Sequence, residues 1–229
     1  MKTIGLIGGM SWESTATYYQ YINEQIRDQS SALTSAKILL NSLNFAEVVA
    51  LQQSGNWHEA GELLANAGKQ LALAGADCLL ICTNTMHLVA DQVANAVTIP
   101  LLDIIAETAQ ALNRAGCRKP LLLATRYTME HGFYTEQMAR LGIDVVVPCS
   151  EGRGTLQRII FEELCCGITR ESSKESLLEL IRQAQTFGID AVILGCTELQ
   201  LLLDAKQLPL PGFDSTLIHA QAAVRFAKQ

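Results

Sequence analysis

Gly75-Ala-Asp-Cys-Leu-Leu-Ile-Cys-Thr-Asn-Thr-Met-His-Leu-Val-Ala-Asp91 and Gly188-Ile-Asp-Ala-Val-Ile-Leu-Gly-Cys-Thr-Glu-Leu-Gln-Leu-Leu-Leu-Asp204 are one stretch written twice. Without a gap, Gly75 falls on Gly188, Asp77 on Asp190, Leu88 on Leu201 and Asp91 on Asp204. Each copy has an unbroken apolar run, then a small polar cluster, then a segment with helical spacing. The apolar run is too short for a helix and does not alternate, which is the pattern of a strand covered on both faces. Where the run ends, Thr83 stands opposite Cys196.

The rest of the chain repeats the alternation. Thr3–Ile7, Ala36–Leu43, Asp77–Cys82, Ile99–Leu102, Pro120–Ala124, Ile143–Val147, Ala191–Leu194 and Leu210–Phe213 read as strands. Between them lie helical patterns: one opened by Ser11 and carrying Tyr18, Tyr19, Ile22 and Ile26, then Trp57–Ala74, Ile104–Ala115, a segment with Phe133 and Met138, Thr155–Leu164, Lys174–Phe187 and Ser215–Ala227. Short helices are expected after each copy of the repeat, towards Ala94 and over Leu199–Leu203. Ile4–Ile7 falls opposite Pro120–Leu123 when Tyr18 is set against Tyr134. This predicts an α/β protein of two similar parallel-sheet domains related by pseudo-twofold symmetry. Their expected extents are 1–97 plus 212–229, and 98–211.

Composition narrows the function. Of 229 residues 49% are apolar and 17% charged, enough for a sizeable core. A net charge of −6 without a basic block argues against nucleic acid. No apolar stretch approaches a membrane span and no leader pattern opens the chain, so a cytoplasmic protein without a membrane partner is expected. Seven cysteines without C-x-x-C or His/Cys ligand spacing read as free thiols and give no metal site. Cys78, Cys117 and Cys149 read as small buried hydrophobes.

Ligands of parallel α/β sheets bind at the carboxyl ends of the strands. Four polar turns take that place: Gly8–Ser11, Thr83–Thr85, Ala124–Thr128 and Cys196–Glu198. Each precedes a helical segment whose free N–H groups suit a carboxylate. Gly5-Leu-Ile-Gly-Gly9 lacks the spacing of a dinucleotide fingerprint, and no acidic residue ends the second strand, where Asn41-Ser-Leu-Asn44 stands.

Thr83-Asn-Thr-Met-His87, Gly195-Cys-Thr-Glu198 and the opening Gly8-Gly-Met-Ser-Trp-Glu-Ser-Thr15 together resemble the cofactor-independent aspartate/glutamate racemases. Those enzymes carry Cys-Asn-Thr-x-His in one half and Gly-Cys-Thr-Glu in the other. The resemblance runs along essentially the whole chain. It implies an active site in the cleft between the halves, no pyridoxal phosphate or other cofactor, a small amino-acid substrate and a homodimer. It implies proton transfer at the α-carbon, with Cys196 and Thr83 at the catalytic posts. Met10, Gln52, Thr83, Asn84, Thr85, Thr125, Thr155, Thr197 and Glu198 would bind substrate.

Two departures shape the expectation. Thr83 replaces the family's first Cys, and a Thr hydroxyl is a poor base near neutral pH. Cys82 adjoins it but should face the other side of its strand, into the core. In the family the second-half Cys serves the L face, so L-side proton abstraction should be the stronger. Asn44-Phe45 and Thr155 fall near positions where aspartate-specific members carry Arg and Lys. Arg153, Gln52 or Gln53 are the candidates to compensate, and a neutral or smaller amino acid is an open alternative as substrate. His87 is either a structural hydrogen-bonder or a proton carrier, while Tyr18, Tyr19 and Phe133 read as core and His58 and His219 carry no role. The rival readings are a single-thiol isomerase or decarboxylase of a small dicarboxylate, and an inactive amino-acid-binding relative.

Overall fold

The computed structural model describes all 229 residues. The chain packs as two compact units, Met1–Ile104 with His219–Gln229, and Ile105–Ile218. No helix is long and apolar enough to cross a membrane.

The first unit runs β1 (Ile4–Gly8), α1 (Trp12–Asp28), β2 (Ile38–Ser42), α2 (Phe45–Gln53), α3 (Trp57–Leu73), β3 (Cys78–Ile81), a 3-10 turn (Thr85–Val89), α4 (Ala90–Asn95) and β4 (Leu101–Leu102). Its sheet is parallel, in the order β2-β1-β3-β4. The apolar runs supply side chains to both faces. Ile7, Leu79 and Ile81 join Leu64, Ala67 and Leu71 of α3 in one core. Ile4, Leu6, Cys78, Leu80 and Cys82 point the other way, onto Tyr18, Ile22 and Ile26 of α1 and onto Ala220, Ala223 and Val224. Each fully buried aliphatic side chain contributes roughly 1.5–3 kcal/mol. Gly9, at φ +83°, turns the chain out of β1; a side chain there would strike the backbone of Leu43.

The second unit begins with α5 (Ile104–Ala115), continues through β5 (Pro120–Leu123), α6 (Arg126–Glu130), α7 (Phe133–Arg140), α8 (Ser150–Arg158), α9 (Glu171–Gln185), β6 (Ala191–Leu194) and β7 (Gly212–Asp214), and ends in the first turn of α10 (Ser215–Ala227). Its sheet is parallel in the order β5-β6-β7.

The repeated Gly-x-Asp has the same use in both units. Gly75 and Gly188 both take positive φ, +98° and +74°. Asp77 then accepts the Thr3 N–H at 2.6 Å and donates its own N–H to the Thr3 carbonyl at 2.8 Å, fixing the start of β1. Asp190 accepts the N–H groups of Arg118 and Lys119 at 2.6 and 2.9 Å and donates to the Lys119 carbonyl at 3.0 Å, fixing the start of β5.

Several expected elements differ. Ile143–Val147 makes a single bridge, Val146 to Leu121, in place of a strand. Asp144 N–H bonds the Arg118 carbonyl, Val146 N–H the Pro120 carbonyl, and Leu122 N–H the Val146 carbonyl. The bond missing from that ladder would come from residue 120, and proline has no N–H. The helix read at Thr155–Leu164 starts at Ser150, widens after Arg158 into a π turn (Ile159–Glu163) and tightens into a 3-10 turn (Leu164–Cys166). The segments following the two repeats are 3-10 turns, Thr85–Val89 and Thr197–Leu201, the first leading into α4. Helix α2 escaped the reading because only Val48 of it is buried. Tyr19 is exposed, Phe133 only partly covered and Cys149 exposed, so none of these is a core residue.

Candidate active site

In the first unit the candidate residues gather at the carboxyl ends of β1 and β3. Ser11 caps α1, its Oγ accepting the Ser14 N–H at 3.3 Å, while the Gly9 N–H bonds Thr15 Oγ1 at 2.8 Å. This loop is tied down from within. The Met10 side chain is 5% exposed and belongs to the core with Ile7 and Met86, so only its backbone is available for a ligand. Thr83 is half-buried, whereas Asn84 and Thr85 are buried. Thr83 N–H bonds the Ile81 carbonyl at 2.8 Å, and His87 N–H bonds the Asn84 carbonyl at 3.1 Å. Gln52, on α2, reaches this corner, its Nε2 lying 3.1 Å from the Met86 sulfur. Cys82 is fully buried in the opposite core, and burial pushes its thiol far up, so it supplies no thiolate to the Thr83 side.

In the second unit the corresponding turn follows β6. Cys196 is 8% exposed, and its Sγ stands 3.0 Å from Glu198 Oε2. Thr197 Oγ1 donates to the same carboxylate oxygen at 2.7 Å. Burial raises the Cys196 thiol well above its ordinary range; the Glu198 charge and hydrogen bond, and Cys165 nearby, add to this, against the Glu198 N–H. Cys196 therefore rests as a thiol with a proton acceptor already in place. The Leu164–Cys166 turn packs against the Thr197–Leu201 turn. It is anchored by Glu163, which is buried and accepts Ser173 Oγ–H at 2.6 Å and Arg158 Nη1 at 2.5 Å.

Thr125 caps α6, its Oγ1 accepting the Thr128 N–H at 3.5 Å and lying 3.1 Å from Thr128 Oγ1. Helix α8, which carries the half-buried Thr155, is held beside this turn by Gln157, whose Oε1 accepts the Arg126 N–H at 2.8 Å. Arg153 is already engaged, with Glu130 at 2.8 Å and the Pro148 carbonyl at 2.7 Å. Asn44 caps α2, accepting the Ala46 N–H at 3.1 Å.

The sequence reading missed the use of the buried histidines. His219 Nε2–H donates to the Leu102 carbonyl at 2.7 Å, because a carbonyl only accepts; its Nδ1 then accepts the Tyr18 hydroxyl at 2.8 Å. Its ring meets that of His87 edge-on, centroids 5.8 Å apart. The spacing between His219 and Tyr18, 201 residues in the chain, leaves no local pattern to find.

This arrangement sits in a fold shared with known enzymes. Residues 7–223 match the Asp/Glu/Hydantoin racemase family, and the chain belongs to it. A crystal structure of a candidate Asp/Glu racemase from Yersinia pestis superposes with a TM-score of 0.94 at 46% identity, covering 100% of both chains. An aspartate racemase homologue from Pyrococcus horikoshii OT3 does so at 0.90 and 38%, again over 100% of both. The broad specificity amino-acid racemase RacX of Bacillus subtilis (strain 168) is 20% identical over 232 residues, 96% of each chain.

Proposed function

We propose that this chain is an amino-acid racemase that moves the α-proton without pyridoxal phosphate, with Cys196 as the strong acid/base and Thr83 as its weaker counterpart. One observation carries the reading: the thiol at the carboxyl end of β6 has a carboxylate oxygen 3.0 Å from its sulfur. In the proposed L-side step the Cys196 S–H proton passes to Glu198, and the thiolate takes the α-proton of the substrate. The electron pair left on the α-carbon delocalises into the substrate carboxylate as an enediolate. A water hydrogen-bonded to Thr83 delivers a proton to the opposite face, since the Thr83 hydroxyl does not itself ionise near neutrality; the hydroxide left there and the proton held on Glu198 then neutralise each other through solvent, which resets the site. Asn84, Thr85, Thr125, Thr155, Thr197, Gln52 and the Met10 backbone are the proposed holders of the carboxylate, amino group and side chain. For about 10 turnovers per second the barrier must come down to roughly 16 kcal/mol, which places most of the work on preorganised donors around the developing charge.

A neutral or small substrate side chain is favoured over an acidic one. Asn44 is spent as a helix cap and Arg153 is paired with Glu130, so neither waits for a second carboxylate, and a buried carboxylate without a partner is costly. The similarity to a broad-specificity racemase supports the same view.

The test is α-proton exchange in heavy water, followed by NMR for a panel of L- and D-amino acids. Exchange with inversion is expected, fastest from the L side, with the final mixture racemic because enantiomers have equal free energy. Exchange from the L side without any inversion would instead mark a one-thiol enzyme. Binding without exchange of any amino acid would mark an inactive relative and end the racemase reading.

A further inference from the structure

We propose that His87 is a positioning residue for Thr83: a neutral imidazole, protonated on Nδ1, that locks the Thr83 turn and takes no proton from substrate. The effect of His87 on catalysis rests on the racemase reading, but its geometry stands alone. His87 Nδ1 lies 2.8 Å from the Thr83 carbonyl oxygen. A carbonyl only accepts, so Nδ1 carries the proton. His87 Nε2 lies 3.2 Å from the Ile104 backbone N of α5, whose N–H only donates, so Nε2 carries a lone pair. Both ring nitrogens are thereby committed in a side chain that is 5% exposed. The ring has no nitrogen left with which to meet a substrate.

The two bonds join the parts of the first unit that shape the turn. Thr83 is gripped at its N–H by the Ile81 carbonyl and at its carbonyl by His87, so both polar groups of its backbone are held and the direction of its Cα–Cβ bond is set. The other end of the imidazole holds the backbone two residues beyond Leu102, the last residue of β4. The second histidine braces the same junction: His219 Nε2–H holds the Leu102 carbonyl, and Tyr18 holds His219. The rings are of opposite tautomer and touch edge to face. Burial lowers the proton affinity of His87 and outweighs Asp103 and the Thr83 carbonyl, which pull the other way, so the neutral ring is favoured. A hydroxyl that only directs a water needs its direction held, and misplacement by about 1 Å costs on the order of 10²-fold.

Two substitutions separate the bonds. In His87→Asn the amide nitrogen replaces Nδ1 and keeps the Thr83 carbonyl. In His87→Gln the amide oxygen replaces Nε2 and keeps the Ile104 N–H, while the Thr83 carbonyl loses its donor. D-side α-proton exchange should fall about tenfold or more in the Gln variant and recover most of its rate in the Asn variant. L-side exchange, which belongs to Cys196, should change less than about twofold in both. Equal loss on both sides, or equal loss in both variants, overturns the positioning role in favour of general support of the fold. Loss of one limb of the pH–rate profile in both would make His87 an acid/base and overturn it too. Ring-nitrogen NMR of the wild-type protein tests the proposal without turnover. A neutral Nδ1–H tautomer from pH 6 to 8 is expected, with the Thr83 carbonyl resonance shifting in the Gln variant and not in the Asn variant. A ring titrating in that range, or protonated on Nε2, overturns the proposal even if racemisation is found. Absence of exchange in the wild type strikes the racemase reading and leaves this structural assignment to the NMR.

Discussion

Cys196 and Glu198 are two residues apart in the chain and 3.0 Å apart at their tips, Sγ to Oε2. A carboxylate so close favours the proton staying on the thiol at rest, and in the proposed L-side step it is the group that takes it. Glu198→Gln keeps the size and removes both the charge and the proton acceptor. With that charge gone, the Cys196 thiol should ionise at lower pH than in the wild type, since Glu198 is one of the groups that raises it. The rate of iodoacetamide alkylation against pH reads this directly. L-side exchange should nevertheless fall, by roughly 10²–10⁴-fold if Glu198 works as the general base. Easier ionisation together with slower exchange is the expected signature; unchanged exchange would leave Glu198 as a neighbour only.

The paired aspartates give a test of the repeat as architecture. Asp77 accepts one backbone N–H of the adjoining strand and Asp190 accepts two. Each lost bond should cost about 1 kcal/mol. Asp77→Ala is therefore expected to lower unfolding stability by about 1 kcal/mol and Asp190→Ala by about 2. Urea denaturation with an unchanged m-value would report these differences. Equal costs would mean that the two carboxylates are not the strand anchors they resemble.

These anchors also show why so much of the fold was legible. The parallel sheets follow from apolar runs too short for helices, and alternation placed Cys82 in the core and Thr83 on the other side. What failed was what depends on a partner far away or on a missing atom. The absent N–H of Pro120 reduced a strand at Ile143–Val147 to one bridge. His219 looked idle because its partners, Tyr18 and Leu102, lie 201 and 117 residues off. The contact of Cys196 with Glu198 depends on the 3-10 geometry of Thr197–Leu201, which the expected helix over Leu199–Leu203 did not contain.

The buried histidines predict a pH dependence of stability. Burial holds His219 down to about 3, with His87 adding to this and the Leu102 carbonyl opposing it; His87 is lowered also. Unfolding frees both rings to take protons near pH 6.5. Below that pH the unfolded chain binds more protons than the folded one, so stability must fall as pH drops. The contribution is complete above about pH 6.5 and is lost on the way down towards about pH 3 for His219. The slope is about 1.4 kcal/mol per pH unit for each ring. His219→Gln keeps a donor for the Leu102 carbonyl and cannot titrate. Denaturant midpoints between pH 4.5 and 7 should show it shallower than the wild type by about one proton; parallel curves would rule His219 out as the source.

Thr83→Cys restores to the first repeat the kind of group that Cys196 provides in the second. If the two posts serve one α-carbon, the change should act on one face. D-side exchange is expected to rise about tenfold or more, since a positioned base is commonly worth 10²–10⁴-fold, while L-side exchange stays within about twofold. The equilibrium mixture must remain racemic in both proteins, because no catalyst changes the relative free energy of enantiomers. Progress curves started from pure L- and pure D-substrate separate the two directions. A variant that leaves both unaltered would show that position 83 does not face the reacting carbon, and the matched scaffolds would then carry a single working post, Cys196.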